Sequence, residues 1–566
     1  MTEEECKRAV YDNNYLDLIV EYNEEVGAVY NQFDVTCIQF LNFRYAIAHL
    51  DGAIYPPYSI EVYGYSKIPR CFGLMDQSSL QEAGIIRVQE LPALDLRGQN
   101  VLIGMIDTGI DYTNPIFQNA DGTTRIQAIW DQTIRDGVTP EGFYYGAEYR
   151  ADEINRALQS DTPEQIVPSK DENGHGTFVA GVCAGGRDEE GDFIGGAPGA
   201  ELLVVKLKEA KESLKEFHQI YTDAPVYQEN DIMLAIRYIT RVARELLRPL
   251  VIYIGVGSNQ GGKWGKGPLS SYISIIGESI GVCVVAPAGN EGQARAHYYG
   301  GGREGNRVET VELNVGEERG FSMELWGRSP NTYSIALRSP GGEVIPRIQP
   351  GISESREVQL ILERTRVRVD YQLVESGTGD EVIVISFENP TKGIWAIDVY
   401  LEELDDSGFH MWLPISQFIT EGTYFIRSDP DTTIVVPGTT PAVITFTAYR
   451  HDNNSLYLQA SRGYGRNCGI KPDLASPGVN VYGPNLRQGY TRKTGSSIAA
   501  AIGASACALL LEWGIIRGNI PNMDTNAIKK LLIRGAVRDG TRTYPNREWG
   551  YGRLNLYETF QRLTRL

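Results

Sequence analysis

The chain has 566 residues, more than one hydrophobic core usually serves, so we expect two to four domains. Hydrophobic residues make up 42% of it and charged residues 22%, values typical of a soluble globular protein. The formal net charge of −19 argues against nucleic-acid and anionic-membrane partners, because both require a basic surface.

The N-terminal sequence gives no sign of export. It is acidic and polar (MTEEECKRAVYDNN) and lacks the basic region and apolar segment of a secretory signal. No apolar run reaches the length of a membrane span, about 18–20 residues. We therefore expect cytoplasmic synthesis and no membrane span.

The seven cysteines are scattered along the chain and form no C-x-x-C pair. Neither a zinc site nor a disulfide framework is predicted from this distribution. Most of these cysteines lie in apolar runs, as buried free thiols do. We expect no metal and no organic cofactor.

Residues 1–76 are predicted to form a small α/β unit. The alternating run at residues 16–22 indicates a strand, and part of residues 38–48 indicates another. From residue 64 to residue 76 the sequence is irregular, which is typical of a linker.

Buried strands alternate with amphipathic helices in the next part of the chain. Continuous apolar runs are typical of strands covered on both faces, and residues 231–247 carry apolar side chains at helical spacing. This α/β pattern predicts a parallel sheet with helices on both faces. The predicted strands are residues 101–106, 202–207, 250–256 and 282–286.

Between residues 303 and 437 the pattern changes to short alternating strands separated by Gly, Pro, Asn and Asp. An antiparallel β-sandwich of the jelly-roll type is predicted there. The parallel-sheet pattern resumes at residues 443–447 and 479–482 and in the helix after Ser497. The sandwich is therefore expected to interrupt one α/β domain.

Four polar residues stand beside these buried elements. Asp107 and Asn290 each follow a predicted strand. His175 lies between two glycines before a buried helix, and Ser497 lies in the first turn of an Ala-rich helix. Taken singly, each has a structural explanation, as a turn residue, a satisfied core histidine or a helix cap. Taken together, they supply a nucleophile, a base, a carboxylate that orients the base and an oxyanion donor.

Their order along the chain, Asp, His, Asn and Ser, is the subtilisin order among unrelated triads. Five blocks within residues 95–300 and 440–560 resemble the subtilisin-like serine proteases, or subtilases: IDTGID, NGHGTFVAG, APAGNEG, KPDLASPGVNV and GSSIAAA. The resemblance implies a serine endopeptidase with Ser497 as nucleophile, His175 as base and Asp107 as its orienting carboxylate. It also implies that Asn290 and the Ser497 N–H bind the oxyanion.

The same resemblance places an edge strand for the substrate backbone at Gly255, Val256 and Gly257. Two positions depart from the family pattern, since Gly255 replaces a usual Ser and Ser496 replaces a usual Thr. The loop at residues 187–193 is acidic, but it is shorter than the calcium-binding loop of secreted relatives. We therefore expect a solvated turn there rather than a metal site.

Subtilases are made with an N-terminal propeptide that assists folding and then blocks the active site. The resemblance implies a propeptide at residues 1–76, a catalytic domain at residues 77–302 and 438–566, and the inserted sandwich at residues 303–437. We expect self-cleavage within residues 64–79, near residue 76, with residues 72–75 in the substrate groove.

The short propeptide, the insert and the extended match GLMDQSSLQEAGI…LDLRGQNVLIGMIDTGIDY are similar to the Csp germination proteases of clostridial spores. That resemblance implies packaging in the spore and cleavage of the pro-form of a cortex-lytic enzyme. The further partners expected for this chain are its own propeptide and related germination pseudoproteases. Two alternatives stay open: a propeptide-inhibited or pseudoprotease-like scaffold in a germination complex, and a general intracellular protease.

Overall fold

A computed structural model describes residues 3–22, 37–74, 83–301, 307–402, 408–486 and 489–563. Within these ranges the helices are α1 (Glu3–Tyr11), α2 (Ile60–Tyr63), α3 (Ile85–Glu90), α4 (Ala151–Leu158), α5 (Pro163–Ile166), α6 (His175–Ala184), α7 (Glu212–Phe217), α8 (Glu229–Glu245), α9 (Pro268–Gly277), α10 (Ser496–Leu511), α11 (Thr525–Gly535) and α12 (Leu556–Leu563).

The strands fall into three groups along the chain. Those before the predicted insert are β1 (Tyr15–Glu21), β2 (Ile38–Phe40), β3 (Tyr45–Asp51), β4 (Cys71–Leu74), β5 (Leu102–Asp107), β6 (Ile126–Asp131), β7 (Ala147–Arg150), β8 (Glu201–Lys206), β9 (Tyr227–Gln228), β10 (Leu250–Ile254), β11 (Val256–Gly257) and β12 (Val282–Pro287). Next come β13 (His297–Gly300), β14 (Val308–Val315), β15 (Gly320–Trp326), β16 (Thr332–Arg338), β17 (Val344–Ile348), β18 (Ser353–Gln359), β19 (Arg366–Gln372), β20 (Val382–Glu388), β21 (Gly393–Glu402), β22 (Phe409–Trp412) and β23 (Tyr424–Phe425). The last group is β24 (Ile444–Arg450), β25 (Ser455–Leu456), β26 (Leu474–Pro477), β27 (Val481–Pro484) and β28 (Tyr490–Lys493).

The central sheet has nine strands in the order β25-β24-β12-β10-β5-β8-β6-β7, with β26 paired to β24. Its inner pairs are parallel, and β25 and β7 join antiparallel at the edges. Successive residues of a strand face opposite sides, so Ile103 and Met105 pack with α6 and α10, while Leu102 and Ile106 pack with α8 and α9. The predicted α/β sheet with helices on both faces is confirmed.

Helix α10 is the most apolar element of this domain. Together with the single π-turn that follows it, residues Ser496–Ile516 form a 21-residue helix whose most apolar 18-residue window has a mean hydropathy of 1.8, long and apolar enough to cross a bilayer. However, 89% of its most apolar window is buried inside the protein. It is a core helix, packed against β12, β24 and α6.

Residues between β12 and β24 form two antiparallel sheets, ordered β13-β22-β15-β20-β19-β18 and β17-β16-β21-β14-β23. Their inward side chains, among them Tyr333, Phe387 and Trp395, make a separate hydrophobic core. The predicted antiparallel insert is therefore present in the fold. The predicted domain boundary at 302/303 lies outside the described residues, as does the one at 76/77.

The N-terminal unit, residues 3–22 and 37–74 as described, has a three-stranded antiparallel sheet in the order β1-β3-β2. It rests on both other parts of the molecule. One core joins Leu18 and Ala48 of this unit to Phe217 of α7 and to Trp412 of the sandwich.

The structure corrects one sequence expectation in this unit. Cys6 and Cys37 are joined by a disulfide, with their Cα atoms 5.3 Å apart, whereas no disulfide was predicted. The two residues are 31 positions apart, and no spacing rule pairs them. The other cysteines are free thiols, and all of them except Cys468 are buried.

Candidate active site

Three of the predicted residues meet at the carboxyl edge of the central sheet. Asp107 ends β5, His175 begins α6, and Ser497 lies in the first turn of α10. Asp107 Oδ1 lies 2.7 Å from His175 Nδ1, and His175 Nε2 lies 3.1 Å from Ser497 Oγ. All three side chains are buried. A serine hydroxyl in contact with an imidazole that a carboxylate orients is the arrangement of an activated nucleophile.

The oxyanion candidate Asn290 lies beside this chain, just after β12. Its Oδ1 accepts a hydrogen bond from the backbone N–H of Ser496 at 3.1 Å, which makes Nδ2 the donating end of the amide. The N–H of Gly289 donates to Ser496 Oγ at 3.1 Å, so the end of β12 is tied to the start of α10. Because first-turn N–H groups of a helix lack intrahelical acceptors, the Ser497 N–H and the Asn290 amide are the two candidate donors to an oxyanion.

Two supports of the site were missed in the sequence. The buried carboxylate of Asp171 accepts from the Thr108 hydroxyl at 2.9 Å and from both the N–H and hydroxyl of Thr177 at 2.8 Å. It therefore fixes the start of α6 against the turn after β5. The Tyr253 hydroxyl donates to the Ser497 carbonyl at 3.0 Å. In the sequence, the only sign of the Asp171 contribution was its position four residues before His175.

The predicted substrate strand is occupied by the protein's own chain. Val256 pairs with Leu74 and Gly257 with Gly73 in an antiparallel arrangement between β11 and β4. On its other side β4 pairs antiparallel with β9, so residues 71–74 lie between two strands of the α/β part. Gly255 is the next residue toward the triad, and its N–H donates to Ile106 O at 3.1 Å.

The sequence indicated an irregular linker at residues 64–76, whereas the structure has a strand, β4, within this range. The run from Cys71 to Leu74 is short, and its strand conformation comes from its two neighbours rather than from an alternating pattern. Residues 75–79, where part of the expected cleavage range falls, lie outside the described residues.

Buried ion pairs hold the N-terminal unit against the α/β part. Asp17 Oδ1 lies 2.7 Å from Lys211 Nζ and 2.6 Å from His49 Nδ1. Burial alone would raise the pKa of Asp17, but Lys211 and His49 outweigh it and hold that pKa well below its usual range. Arg70 Nε donates to Glu229 Oε2 at 3.0 Å, and both of these side chains are buried as well.

The acidic loop after α6 forms a hairpin closed by reciprocal backbone hydrogen bonds between Asp188 and Phe193. Asp188 Oδ2 accepts from the Tyr490 hydroxyl at 2.5 Å, so this carboxylate is engaged within the protein. Among the described residues, no group of three or more His, Cys, Asp or Glu side chains is arranged to hold a metal ion.

Comparison with known proteins agrees with this architecture. The family model Peptidase_S8, described as the subtilase family, matches residues 98–312 and 422–552, more than half of the chain. The solved structure of the Clostridium perfringens CspB protease matches with a TM-score of 0.76 and 30% identity, covering 86% of this chain and 97% of that one.

Curated relatives match over smaller parts of their own length. A PII-type proteinase of Lacticaseibacillus paracasei is 22% identical over 465 residues, which are 74% of this chain and 23% of the relative. The major intracellular serine protease of Bacillus subtilis is 29% identical over 135 residues, 24% of this chain and 32% of the relative. The chain thus spans a third or less of these two relatives.

Proposed function

Because the chain belongs to the subtilase family of serine endopeptidases, we propose that it hydrolyses peptide bonds with Ser497 as its nucleophile. The observation that carries this proposal is the buried hydrogen-bond chain from Asp107 through His175 to Ser497, with distances of 2.7 and 3.1 Å. Each member comes from the end of a different element of one sheet domain, which is how such sites are built.

In this mechanism His175 Nε2 takes the Ser497 proton while Oγ attacks the substrate carbonyl carbon. The same nitrogen then gives the proton to the leaving amine, and water later releases the acyl group by the reverse sequence. Asp107 keeps the imidazole Nδ1 protonated and stabilises the imidazolium. Asn290 and the Ser497 N–H receive the negative charge that develops on the carbonyl oxygen. Loss of such an Asn donor costs about 10²–10³ in kcat, as measured in a subtilisin.

We further propose that the N-terminal unit, expected at residues 1–76, is a propeptide that this site cuts off after Met75. Strand β4 lies where a substrate backbone would lie, and it runs toward the triad. Leu74 is opposite Val256, and the next position of that strand, Gly255, packs against the Asp107 carboxylate. The bond after the residue that follows Leu74, Met75–Asp76, is therefore the one we assign to self-cleavage.

The contacts of the N-terminal unit support its retention after such a cut. Asp17 and Arg70 each form a buried ion pair with a residue of the α/β part. Leu18 and Ala48 belong to a hydrophobic core that the unit shares with the sandwich. Release would expose charges and apolar surface at once, which is costly. The cut protein is expected to remain a complex of two pieces.

For the biological role we propose activation of the pro-form of a spore cortex-lytic enzyme during germination. Support comes from the similarity to the Clostridium perfringens CspB protease, which covers 86% of this chain and 97% of that one. A scaffold role is the second candidate, because β4 fills the substrate strand position and would also inhibit an intact triad. Expression confined to sporulating cells would separate the germination role from that of a general intracellular protease.

Intact mass of the purified wild type beside Ser497→Ala tests the catalytic proposal. If the wild type alone is found as a small N-terminal piece and a large remainder, Ser497 is a working nucleophile. If both proteins stay whole although folded, the self-processing proposal fails and the scaffold role gains. A fluorophosphonate probe adds a direct test, since labelling requires an activated and accessible Ser497.

A further inference from the structure

The segment that carries the oxyanion candidate Asn290 is held on both sides by one serine. The N–H of Ser461 donates to the carbonyl of Gly289 at 3.0 Å, and the Ser461 hydroxyl accepts from the N–H of Glu291 at 3.0 Å. The residues before and after Asn290 are therefore both bonded to Ser461, which is buried. Because a residue between two fixed neighbours has little backbone freedom, Ser461 limits where the Asn290 amide can lie.

The two segments that meet here approach each other closely. Gly289 has a φ of +106°, and a Cβ built on it would lie 2.7 Å from the Ser461 hydroxyl oxygen. A glycine is needed at this position for both its conformation and its size. Further along, the N–H of Gly292 donates to the carbonyl of Gln459 at 2.8 Å. Residues 289–292 are thus paired with residues 459–461 of the catalytic part.

A second serine reaches the same segment from the sandwich. Glu291 is only 2% exposed, and its Oε2 and Oε1 accept from the N–H and the hydroxyl of Ser416, each at 3.0 Å. Ser416 begins a turn after β22, and its neighbours Ile415 and Phe418 are buried in the core that the sandwich shares with the N-terminal unit. Because a buried carboxylate is costly unless it is hydrogen-bonded, Glu291 ties the segment of Asn290 to the sandwich.

We propose that Ser461 and Ser416 are positioning residues for the reaction, acting through the oxyanion donor Asn290. Ser461 fixes the backbone on both sides of Asn290, and Ser416 fixes the residue that follows it. The Asn290 amide, whose Oδ1 accepts from the Ser496 N–H at 3.1 Å, is thereby kept at the start of α10 beside Ser497. Through Ser416 the sandwich contributes to the order of the catalytic site. The inference rests on the proposed oxyanion role of Asn290.

The first test measures the placement of Asn290 and needs no activity. In the Ser497→Ala protein, the Ser496 N–H is expected to exchange slowly with deuterium, as followed by mass spectrometry with residue-resolved fragmentation. Ser461→Ala in that background is expected to speed this exchange by about tenfold or more, because the displaced amide no longer accepts the bond. Asn290→Ala alone should cause the same rise, and adding Ser461→Ala to it should not increase the rate further.

Ser505→Ala is the matched control for this experiment, since it removes another buried hydroxyl, one that lies within α10 and donates to a carbonyl of the same helix. The control is expected to leave the exchange of the Ser496 N–H unchanged. Equal exchange rates in the Ser461→Ala and control proteins would overturn the proposal. So would a rise with Ser461→Ala that persists in full in the Asn290→Ala background.

The second test examines the contact from the sandwich. In the Ser497→Ala background, Ser416→Ala and Glu291→Ala are each expected to lower the thermal unfolding midpoint. Together they should lower it by less than the sum, because both changes remove the same contact. Ser416→Ala should also speed exchange of the Ser496 N–H. Additive midpoints with an unchanged exchange rate would overturn the role of Ser416.

The third test uses hydrolysis of a chromogenic peptide by otherwise wild-type protein. Ser461→Ala is expected to lower kcat about tenfold with KM within about threefold, because an oxyanion donor acts mainly in the transition state. Ser461→Thr keeps the hydroxyl and is expected to restore most of the loss. In an Asn290→Ala background, Ser461→Ala should have no further effect on kcat. Losses that add in that background, or a wild-type kcat in Ser461→Ala, would overturn the proposal.

The exchange test also separates this inference from the proposed function. If the wild type neither hydrolyses the peptide nor reacts with fluorophosphonate, the catalytic role of Ser497 fails. Exchange of the Ser496 N–H in the Ser497→Ala protein then still decides whether Ser461 and Ser416 position Asn290.

Discussion

Asp17 of the N-terminal unit and Lys211 of the α/β part form an ion pair of 2.7 Å in which both side chains are buried. Gln228 also donates to Asp17 Oδ2 at 2.7 Å, so both oxygens of the carboxylate are satisfied across the interface. A buried pair of this kind need not add net stability, but removing one partner leaves a charge without compensation. Loss of the Asp17 carboxylate is therefore expected to weaken the attachment of the N-terminal unit.

Asp17→Asn is expected to destabilise the uncut protein by about 3–5 kcal/mol, because it leaves the Lys211 ammonium buried and unpaired. Thermal or urea unfolding in the Ser497→Ala background measures this. Glu21→Gln on the same strand is the control, since the Glu21–Arg44 pair is 47% and 43% exposed and should matter by about 0–1 kcal/mol. Equal effects of the two changes would show that the interface does not depend on the buried pair.

Glu291, the neighbour of Asn290, is expected to make stability fall toward alkaline pH. Burial raises its pKa to about 7, although the N–H and hydroxyl of Ser416 both donate to it at 3.0 Å. A raised folded pKa means that its stabilising contribution is full below the unfolded value of about 4.3 and is lost as pH rises through about 7.

Glu291→Gln keeps the shape and removes the ionisation, so the stability gap between this variant and wild type should open between about pH 4 and pH 7. The limit is about 4 kcal/mol. Lys263 affects stability in the opposite direction. Burial lowers its pKa to about 7, so its contribution to stability rises as pH rises. Glu291 and Lys263 also shift each other's pKa, so the difference between the two unfolding midpoints reports Glu291 together with its coupling to Lys263. A gap that stays constant with pH would contradict the prediction.

The sequence was informative where the determinants are local. The buried strand before Asp107 and the Ala-rich helix at Ser497 follow from short apolar patterns, and the glycines around His175 could be seen directly. The approach of these three residues to within hydrogen-bond distance depends on packing over 68 and 322 positions, which a pattern does not encode.

Other features were beyond local patterns for the same reason. The Cys6–Cys37 bond and the Asp17–Lys211 pair join parts of the chain that have no spacing rule in common. Strand β4 takes its conformation from β9 and β11, so its own residues look like a linker.

Asp171 is expected to be necessary for a correctly placed His175. Asp171→Ala removes the acceptor for the N–H groups of Asn173, Gly174 and Thr177 and for the Thr108 hydroxyl. Buried donors without a partner cost about 1–3 kcal/mol each, so we expect a loss of several kcal/mol and at least tenfold lower kcat. Asp111→Ala is the control, because among the described residues the Asp111 carboxylate accepts hydrogen bonds from the exposed Thr113 alone. Wild-type unfolding and kcat in Asp171→Ala would contradict this role.

The N-terminal fragment produced by cleavage of the wild-type protein is expected to end at Met75. The pairing of Leu74 with Val256 fixes the register, and Gly255 beside Asp107 marks the position that faces the triad. Mass spectrometry of the purified protein identifies the fragment directly. Met75→Pro should stop the cut, because proline at this position has no N–H to offer the substrate strand and restricts its conformation, while Met75→Leu should be cut at the same bond. A fragment that ends elsewhere in residues 64–79 would show that the chain is cut in a different register from the one seen between β9 and β11.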